Sequence, residues 1–129
     1  AGLVGSEMCI RDRPVPPLKI SSADFARLLV NIADNSLKYK KGAEGRLQIE
    51  LRRSGGKTTL SFADDGQGVS EEDLPHLFEA FYRADRARTS TESGNGLGLA
   101  IVRKIIAAAG GEVSACNNEQ GGLTVRAVF

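Results

Sequence analysis

The sequence of 129 residues has the length of one domain. Its 17 Lys and Arg residues nearly balance 16 Asp and Glu residues, giving a net charge of +1, which argues against a dedicated DNA-binding protein with a basic surface. Two cysteines and one histidine are too few for a zinc site or a disulfide framework. No apolar run approaches the roughly 20 residues of a membrane span, so we expect a soluble, cytoplasmic domain.

The first 17 residues show neither a helical nor a strand period. Three prolines between positions 14 and 17 favour extended backbone at the end of this stretch. Part of it, residues 5–13, resembles a non-native string that recurs at the ends of assembled environmental sequences. We interpret residues 1–17 as a tail or linker, of native or non-native origin, and residues 18–129 as the domain.

A long helix is predicted over residues 22–39. Ser21 followed by Asp24 resembles the capping box at which many helices begin. Apolar and small residues then recur at helical spacing and predict one buried stripe. This stripe comprises Phe25, Leu28, Leu29, Ile32, Ala33, Ser36 and Leu37.

Four strands are predicted in two hairpins. Alternating apolar residues mark a strand at 46–53 and a returning strand that runs into Asp64, joined by a turn at 54–56. The same alternation marks strands at 112–116 and 123–129. Each pair of strands is close enough in sequence to form an antiparallel hairpin.

Two further helices and a loop are predicted between the hairpins. A short helix extends from a cap at Ser70 to about Phe81, and a long one covers residues 97–109. The segment 83–96 is rich in Arg, Ser, Thr and Gly without an apolar period, which predicts a mobile loop. This order of elements predicts an α/β fold with a mixed, mainly antiparallel sheet and helices on one face.

The first candidate site lies on the first helix. Asn31, Asn35 and Lys38 are spaced four and three residues apart, so they share one helix face. Carboxamide oxygens can coordinate a hard cation such as Mg²⁺, and a lysine supplies a point charge for phosphate. The alternative is a solvated polar face, but two asparagines inside a helix cost helix propensity, which slightly favours a binding role.

Two glycine-rich segments form the other candidate sites. Residues 64–69 (DDGQGV) directly follow a strand, where glycines allow close approach to a flat ligand and a carboxylate can accept a hydrogen bond from an exocyclic amine. A plain turn is the alternative. Residues 94–99 (GNGLGL) open the second long helix, whose free N–H groups form an anion site. This last segment is neither a dinucleotide fingerprint nor a P-loop.

Together, in this order, the three segments resemble the N, G1 and G2 boxes of the GHKL ATPase superfamily. Within that superfamily they are most similar to the ATP-binding catalytic domain of sensor histidine kinases, and residues 77–83 (LFEAFYR) resemble its F box. The resemblance covers residues 18–129. It implies a two-layer α/β sandwich that binds ATP and Mg²⁺ between helices and a flexible lid.

The resemblance also implies roles for single residues. Asn35 is the implied Mg²⁺ ligand, Asn31 faces the phosphates and Lys38 contacts phosphate, and these three form the implied catalytic set. Asp64 would hold the adenine amine, and residues 83–96 would form the lid. Other implied nucleotide contacts are Tyr39, Gly66, Gly68, Val69 and Thr124 near the base or ribose, Gly94, Gly96, Leu97, Gly98 and Leu99 at the phosphates, and the lid arginines Arg83, Arg86 and Arg88.

Four positions bear on the implied chemistry. ATP-hydrolysing members of the superfamily carry a glutamate at the position of Asn31, and asparagine cannot take a proton from water. The implied pocket therefore holds ATP without efficient hydrolysis, as a kinase requires. Two departures from the family pattern are mild, since Ser36 and Ala109 replace the commoner alanine and histidine and neither removes a ligand. His76, the only histidine, precedes the F box and is interpreted as a local helix residue, not as the phosphoacceptor.

The implied function is transfer of a phosphoryl group from ATP to a histidine on a separate dimerisation and phosphoacceptor hairpin, in two-component signalling with a downstream response regulator. We expect no nucleic-acid partner, a monomeric fragment, and a homodimeric parent that is either soluble or membrane-anchored. Two alternatives stay open, an anti-sigma-type serine kinase and a non-enzymatic ATP-binding switch of the same fold. The F box and residues 96–99 (GLGL) argue against the first.

Overall fold

The computed structural model describes residues 18–82 and 97–129. Within these ranges the chain forms helix α1 (Ser22–Lys38), strands β1 (Leu47–Ser54) and β2 (Lys57–Asp64), a short 3₁₀ helix (Leu74–His76), helix α2 (Gly98–Ala108), and strands β3 (Glu112–Asn117) and β4 (Leu123–Val128). The α-helices and strands lie within a few residues of the predicted ranges. In the described part of the chain, no helix has the length and apolar character needed to cross a membrane.

The four described strands form one sheet in the order β1, β2, β4, β3, with every pairing antiparallel. The β1–β2 hairpin turns at Gly55 and Gly56, whose φ angles of 59° and 78° suit the two-residue turn between Ser54 and Lys57. β4 lies between β2 and β3 and runs antiparallel to both. The last residues of β2 and β3 therefore lie beside the first residues of β4, at the same end of the sheet.

Both helices cover one face of this sheet. Alternate residues of β2 are buried, with Leu60 and Phe62 each 1% exposed, which is the period expected when one strand face packs on a core. The α-helices supply the opposite layer of that core through Leu28, Ile32, Leu99, Val102, Ile105 and Ile106. This two-layer arrangement confirms the predicted α/β class with a mainly antiparallel sheet.

Helix α1 begins where its sequence predicts. The hydroxyl oxygen of Ser21 accepts the backbone N–H of Asp24 at 3.1 Å, which satisfies one of the N–H groups that lack a partner in the first turn. The predicted burial is wrong at one position, because Leu37 is 58% exposed. Leu37 lies close to the end of the helix, beyond the part of α1 that packs on the core.

The short helix predicted over residues 70–81 is also wrong. Only Leu74–His76 forms a single 3₁₀ turn, and the rest of the segment is a series of turns. Pro75 has no N–H to donate, and Phe81 adopts a left-handed φ of 67°, which ends any helical course. Three apolar residues of the segment still pack against the core, namely Leu74, Leu77 and Phe78, whereas Phe81 is 71% exposed.

Candidate functional site

The predicted site segment on helix α1 and the glycine-rich segment 64–69 meet at the end of the sheet where β2 terminates. The glycine loop that follows Asp64 lies against the C-terminal end of α1, because the N–H of Gln67 donates to the carbonyl oxygen of Tyr39 at 2.8 Å. The side-chain amide of Gln67 also donates to the carbonyl oxygen of Lys40 at 3.4 Å. The N-box-like helix and the G1-like loop therefore form one continuous surface.

Asp64 is the buried acid at the centre of this surface, with 7% of its area exposed. Its Oδ1 accepts the backbone N–H of Gly66 at 3.0 Å and that of Leu123 at 2.9 Å. Its Oδ2 accepts the hydroxyl of Ser36 at 3.2 Å. Since a carboxylate oxygen has about two acceptor directions, the described contacts fill Oδ1 and leave one direction open on Oδ2.

Asn118 joins the tip of the β3–β4 hairpin to Asp64 and makes the hydroxyl oxygen of Thr124 a hydrogen-bond acceptor. Its Nδ2 donates to the carbonyl oxygen of Asp64 at 3.0 Å and to Oγ1 of Thr124 at 3.1 Å. Its Oδ1 accepts the backbone N–H groups of Gln120 and Gly122, both at 3.0 Å. Because Oγ1 of Thr124 accepts from Asn118, its own hydroxyl hydrogen is available to donate to another group.

Asn117 holds the glycine loop from its other side. Its Oδ1 accepts the N–H of Val69 at 2.9 Å and its Nδ2 donates to the carbonyl oxygen of Val69 at 2.6 Å, as a neighbouring strand would. Ser36, Asn117 and Asn118 were not predicted as site residues from the sequence. An Asn-Asn pair shortly before Gly-Gly is typical of a side-chain-capped turn, and this signal could have identified Asn118.

Glycines are required here because backbone segments approach one another closely. A Cβ on Gly66 would lie 2.5 Å from the carbonyl oxygen of Tyr39. Gly68 has a φ of 73°, and a Cβ there would lie 2.5 Å from the carbonyl oxygen of Gly121. A Cβ on Gly122 would lie 2.1 Å from the carbonyl oxygen of Asp64. The loop, the hairpin tip and the end of β2 are therefore packed backbone against backbone.

We expect Gly122→Ala to destabilise the domain by about 3 kcal/mol, because the added methyl group has to displace the backbone of Asp64. The free energy of unfolding measured by urea denaturation tests this. Gly42→Ala is the matched control, since a Cβ at Gly42 would meet no atom within 4 Å. Equal unfolding midpoints for the two variants would contradict the close packing.

The polar face of α1 meets the start of α2. Asn31, Asn35 and Lys38 are partly buried beside the core-facing residues of the helix. The Nδ2 of Asn31 donates to the carbonyl oxygen of Arg27 at 2.8 Å, and its Oδ1 lies 3.3 Å from where a Cβ on Gly98 would be. The N–H groups in the first turn of α2 have no carbonyl partner within the helix. The first and third predicted segments are thus also neighbours.

The remaining predicted residues divide into two groups. Leu97 caps α2, Leu99 is a buried core residue, and Thr124 is buried at the start of β4. The predicted lid at 83–96 lies outside the described residues, and with it Arg83, Arg86, Arg88, Gly94 and Gly96.

His76 lies in the turn segment before the predicted F box. Its Nδ1 is 2.8 Å from Oε2 of Glu79, and its ring stacks on that of Tyr82 with 5.1 Å between the ring centroids. Tyr82 in turn donates its hydroxyl to Asp73. These contacts are all local to the segment.

Comparison with known proteins identifies relatives of this fold and site. The model of the family described as histidine kinase-, DNA gyrase B- and HSP90-like ATPases matches residues 21–129. The sensor protein SphS of Synechococcus elongatus is 40% identical over 107 residues, which cover 78% of this chain and 26% of SphS. The chain spans about a quarter of the length of the curated relatives it matches.

Solved structures of sensor kinases have the same fold. A mycobacterial sensor histidine kinase, MprB, superposes with a TM-score of 0.74 and 26% identity, over 87% of this chain and 75% of MprB. Full-length ShkA in complex with AMPPNP superposes with a TM-score of 0.71 and 29% identity, over 89% of this chain and 23% of ShkA. These matches confirm the resemblance that the motifs indicated.

Proposed function

The chain belongs to the histidine kinase-, DNA gyrase B- and HSP90-like ATPase family, and on this basis we propose that it binds Mg-ATP and supplies the phosphoryl group for a histidine on a separate phosphoacceptor hairpin in two-component signalling. The observation that carries the proposal is the hydrogen-bonding polarity at the end of β2. There, the contacts of residues 18–82 and 97–129 leave one acceptor direction open on Oδ2 of Asp64 and leave the hydroxyl hydrogen of Thr124 without an acceptor.

This polarity favours adenine over guanine. Adenine presents an amino group at position 6 and an acceptor at N1, whereas guanine presents a 6-oxo acceptor and an N1–H donor. The carboxylate of Asp64 complements the 6-amino group, and the hydroxyl of Thr124 complements the N1 acceptor. In the proposal, Tyr39, Gly66, Gly68 and Val69 complete the surroundings of the base and ribose.

The phosphates are assigned to the junction of α1 and α2. Asn31, Lys38 and the N–H groups of Leu97, Gly98 and Leu99 combine amide, ammonium and helix N-terminal donors, which suit a triphosphate. We also assign the lid residues Arg83, Gly94 and Gly96 to the phosphates. When bound, Mg-ATP supplies the transferable phosphoryl group, and this chain holds and orients it.

Asn35 is the proposed Mg²⁺ ligand. Among the described residues, no group of three or more His, Cys, Asp or Glu side chains could form an all-protein metal site. A single amide oxygen from Asn35 fits Mg²⁺, which usually takes one or two protein oxygens and completes its shell with phosphate and water. The chemistry of the chain therefore suits an ion that is shared with the nucleotide.

Asn31 supports transfer over hydrolysis. A side-chain amide cannot act as a base towards water at neutral pH, and the Nδ2 of Asn31 already donates to Arg27. Asn31 can thus orient phosphate without activating a water molecule. We propose that the bound nucleotide persists until an acceptor histidine arrives.

The acceptor and the further partners belong to the proposal for the whole protein. Since the chain spans about a quarter of its curated relatives, we assign the phosphoacceptor hairpin to another part of the same or a partner kinase chain. A response regulator would receive the phosphoryl group downstream. In the proposal the parent is a homodimer and the catalytic domain works in the cytoplasm.

The test is incubation of the chain with labelled ATP, Mg²⁺ and a purified phosphoacceptor hairpin. We expect acid-labile, alkali-stable label on the hairpin, and no label on a hairpin whose histidine is replaced by glutamine. Acid-stable label would indicate a serine kinase instead, and nucleotide binding without transfer would indicate a switch module. Label on His76 in the chain alone would contradict the assignment of a separate acceptor.

A further inference from the structure

We infer that Ser36 is a positioning residue that sets the preference of the base site for 6-amino over 6-oxo purines. Its hydroxyl donates to Oδ2 of Asp64 at 3.2 Å, the same oxygen that carries the open acceptor direction. The inference rests on the proposed function, in which this oxygen receives the amino group of adenine. It concerns a residue outside the motif positions assigned to nucleotide binding.

The position of Ser36 follows from the register of α1. It lies one turn after Ile32, which is 3% exposed, and two turns after Leu28, which is fully buried. The helix face that packs on the core therefore carries Ser36 towards the end of β2, where the carboxylate of Asp64 lies. An alanine would fit the helix equally well, so the hydroxyl is not needed to form α1.

The chemistry follows from the single hydrogen of a hydroxyl group. With that hydrogen donated to Asp64, Oγ of Ser36 keeps only acceptor lone pairs. The site then offers two acceptor oxygens, 3.2 Å apart. Two acceptors suit an amino group with two hydrogens, and both repel a 6-oxo oxygen.

Loss of the Ser36 hydroxyl removes one of these two acceptor oxygens. In Ser36→Ala, a second direction on Oδ2 of Asp64 becomes open to water. A water molecule can donate or accept, so it can bridge to a 6-amino or a 6-oxo group with similar ease. The substitution should therefore lower discrimination between the bases more than it disturbs the fold.

Calorimetric titration of the full chain with Mg-ATP and Mg-ITP tests the inference. We expect Ser36→Ala to lower the ratio of ATP to ITP affinity by about three- to tenfold, the usual effect of one hydrogen bond, with a melting temperature lowered by no more than a few degrees. Ser36→Thr keeps the hydroxyl and should keep the ratio. Ser22→Ala, at the exposed start of the same helix, is the matched control.

A double-mutant cycle shows whether Ser36 acts through Asp64. In Asp64→Asn the open oxygen becomes an amide donor, so adding Ser36→Ala should no longer lower the ATP to ITP ratio. An equal loss in both backgrounds would overturn the inference, as would a wild-type ratio in Ser36→Ala. A wild-type chain that does not bind ATP, or binds ITP as tightly, would refute the proposed function itself.

Discussion

Asp64→Asn is expected to weaken ATP binding by about ten- to a hundredfold while leaving the domain folded, because it removes a charged acceptor from the base site. The two oxygens of the carboxylate have separate tasks. Oδ1 accepts two buried backbone N–H groups, from Gly66 and Leu123, and is structural. Oδ2 contacts only Ser36 among the described residues and faces the proposed ligand.

Asparagine separates these two tasks. Its side-chain oxygen can take the place of Oδ1 and keep both backbone hydrogen bonds, while its NH₂ group takes the place of Oδ2. The amide would then point a donor at the amino group of adenine, and Oγ of Ser36 can accept its other hydrogen. The loss of affinity should therefore exceed any loss of stability.

Calorimetric titration with ATP and GTP, together with thermal unfolding of each variant, measures both effects. Asp65→Asn is the matched control, because Asp65 is the adjacent acid and its Oδ1 accepts the backbone N–H of Arg46 at 2.9 Å, away from Ser36. We expect this control to bind ATP like the wild type. Equal affinity of the wild type for ATP and GTP would refute the assignment of adenine.

The parts of the fold that the sequence predicted are those that depend on local periodicity. The spacing of Leu28 and Ile32, the cap at Ser21 and the Gly-Gly turn each operate within a few residues, and each is found in the structure. The segment 70–81 is the exception. Its apolar spacing is helical, but Pro75 has no N–H to donate and Phe81 adopts a left-handed φ of 67°, and the apolar period records neither of these backbone constraints.

In the candidate site, too, the features that depend on local sequence were predicted and those that depend on distant residues were not. The position of Asp64 at the end of a strand and before two glycines could be read locally, and it predicted a carboxylate that can accept a hydrogen bond from an exocyclic amine. Its partners could not, because Ser36 is 28 residues away and Asn118 is 54 residues away in sequence. Those contacts exist only once α1 and the β3–β4 hairpin pack at the same edge of the sheet. Local patterns thus predicted Asp64, the group to which we assign the ligand contact, but not the residues that hydrogen-bond to it.

Asn35→Ala is expected to reduce phosphoryl transfer to the acceptor hairpin by about 100-fold or more, since Mg²⁺ would lose its protein oxygen and the phosphates their fixed position. Alanine favours a helix, so α1 should keep its length and its caps. The buried face of the helix does not include Asn35, which is only partly buried. The domain should therefore remain as stable as the wild type.

The control for this prediction is Asp34→Ala, which removes an exposed acid from the neighbouring position of the same helix. Initial rates of hairpin labelling at saturating ATP, over a range of Mg²⁺ concentrations, should leave Asp34→Ala close to the wild type. For Asn35→Ala, the rate should stay low at every Mg²⁺ concentration if the oxygen of Asn35 fixes the ion. Recovery of the full rate at high Mg²⁺ would mean that Asn35 contributes affinity for the ion but not its position, and a wild-type rate at low Mg²⁺ would remove Asn35 from the metal site.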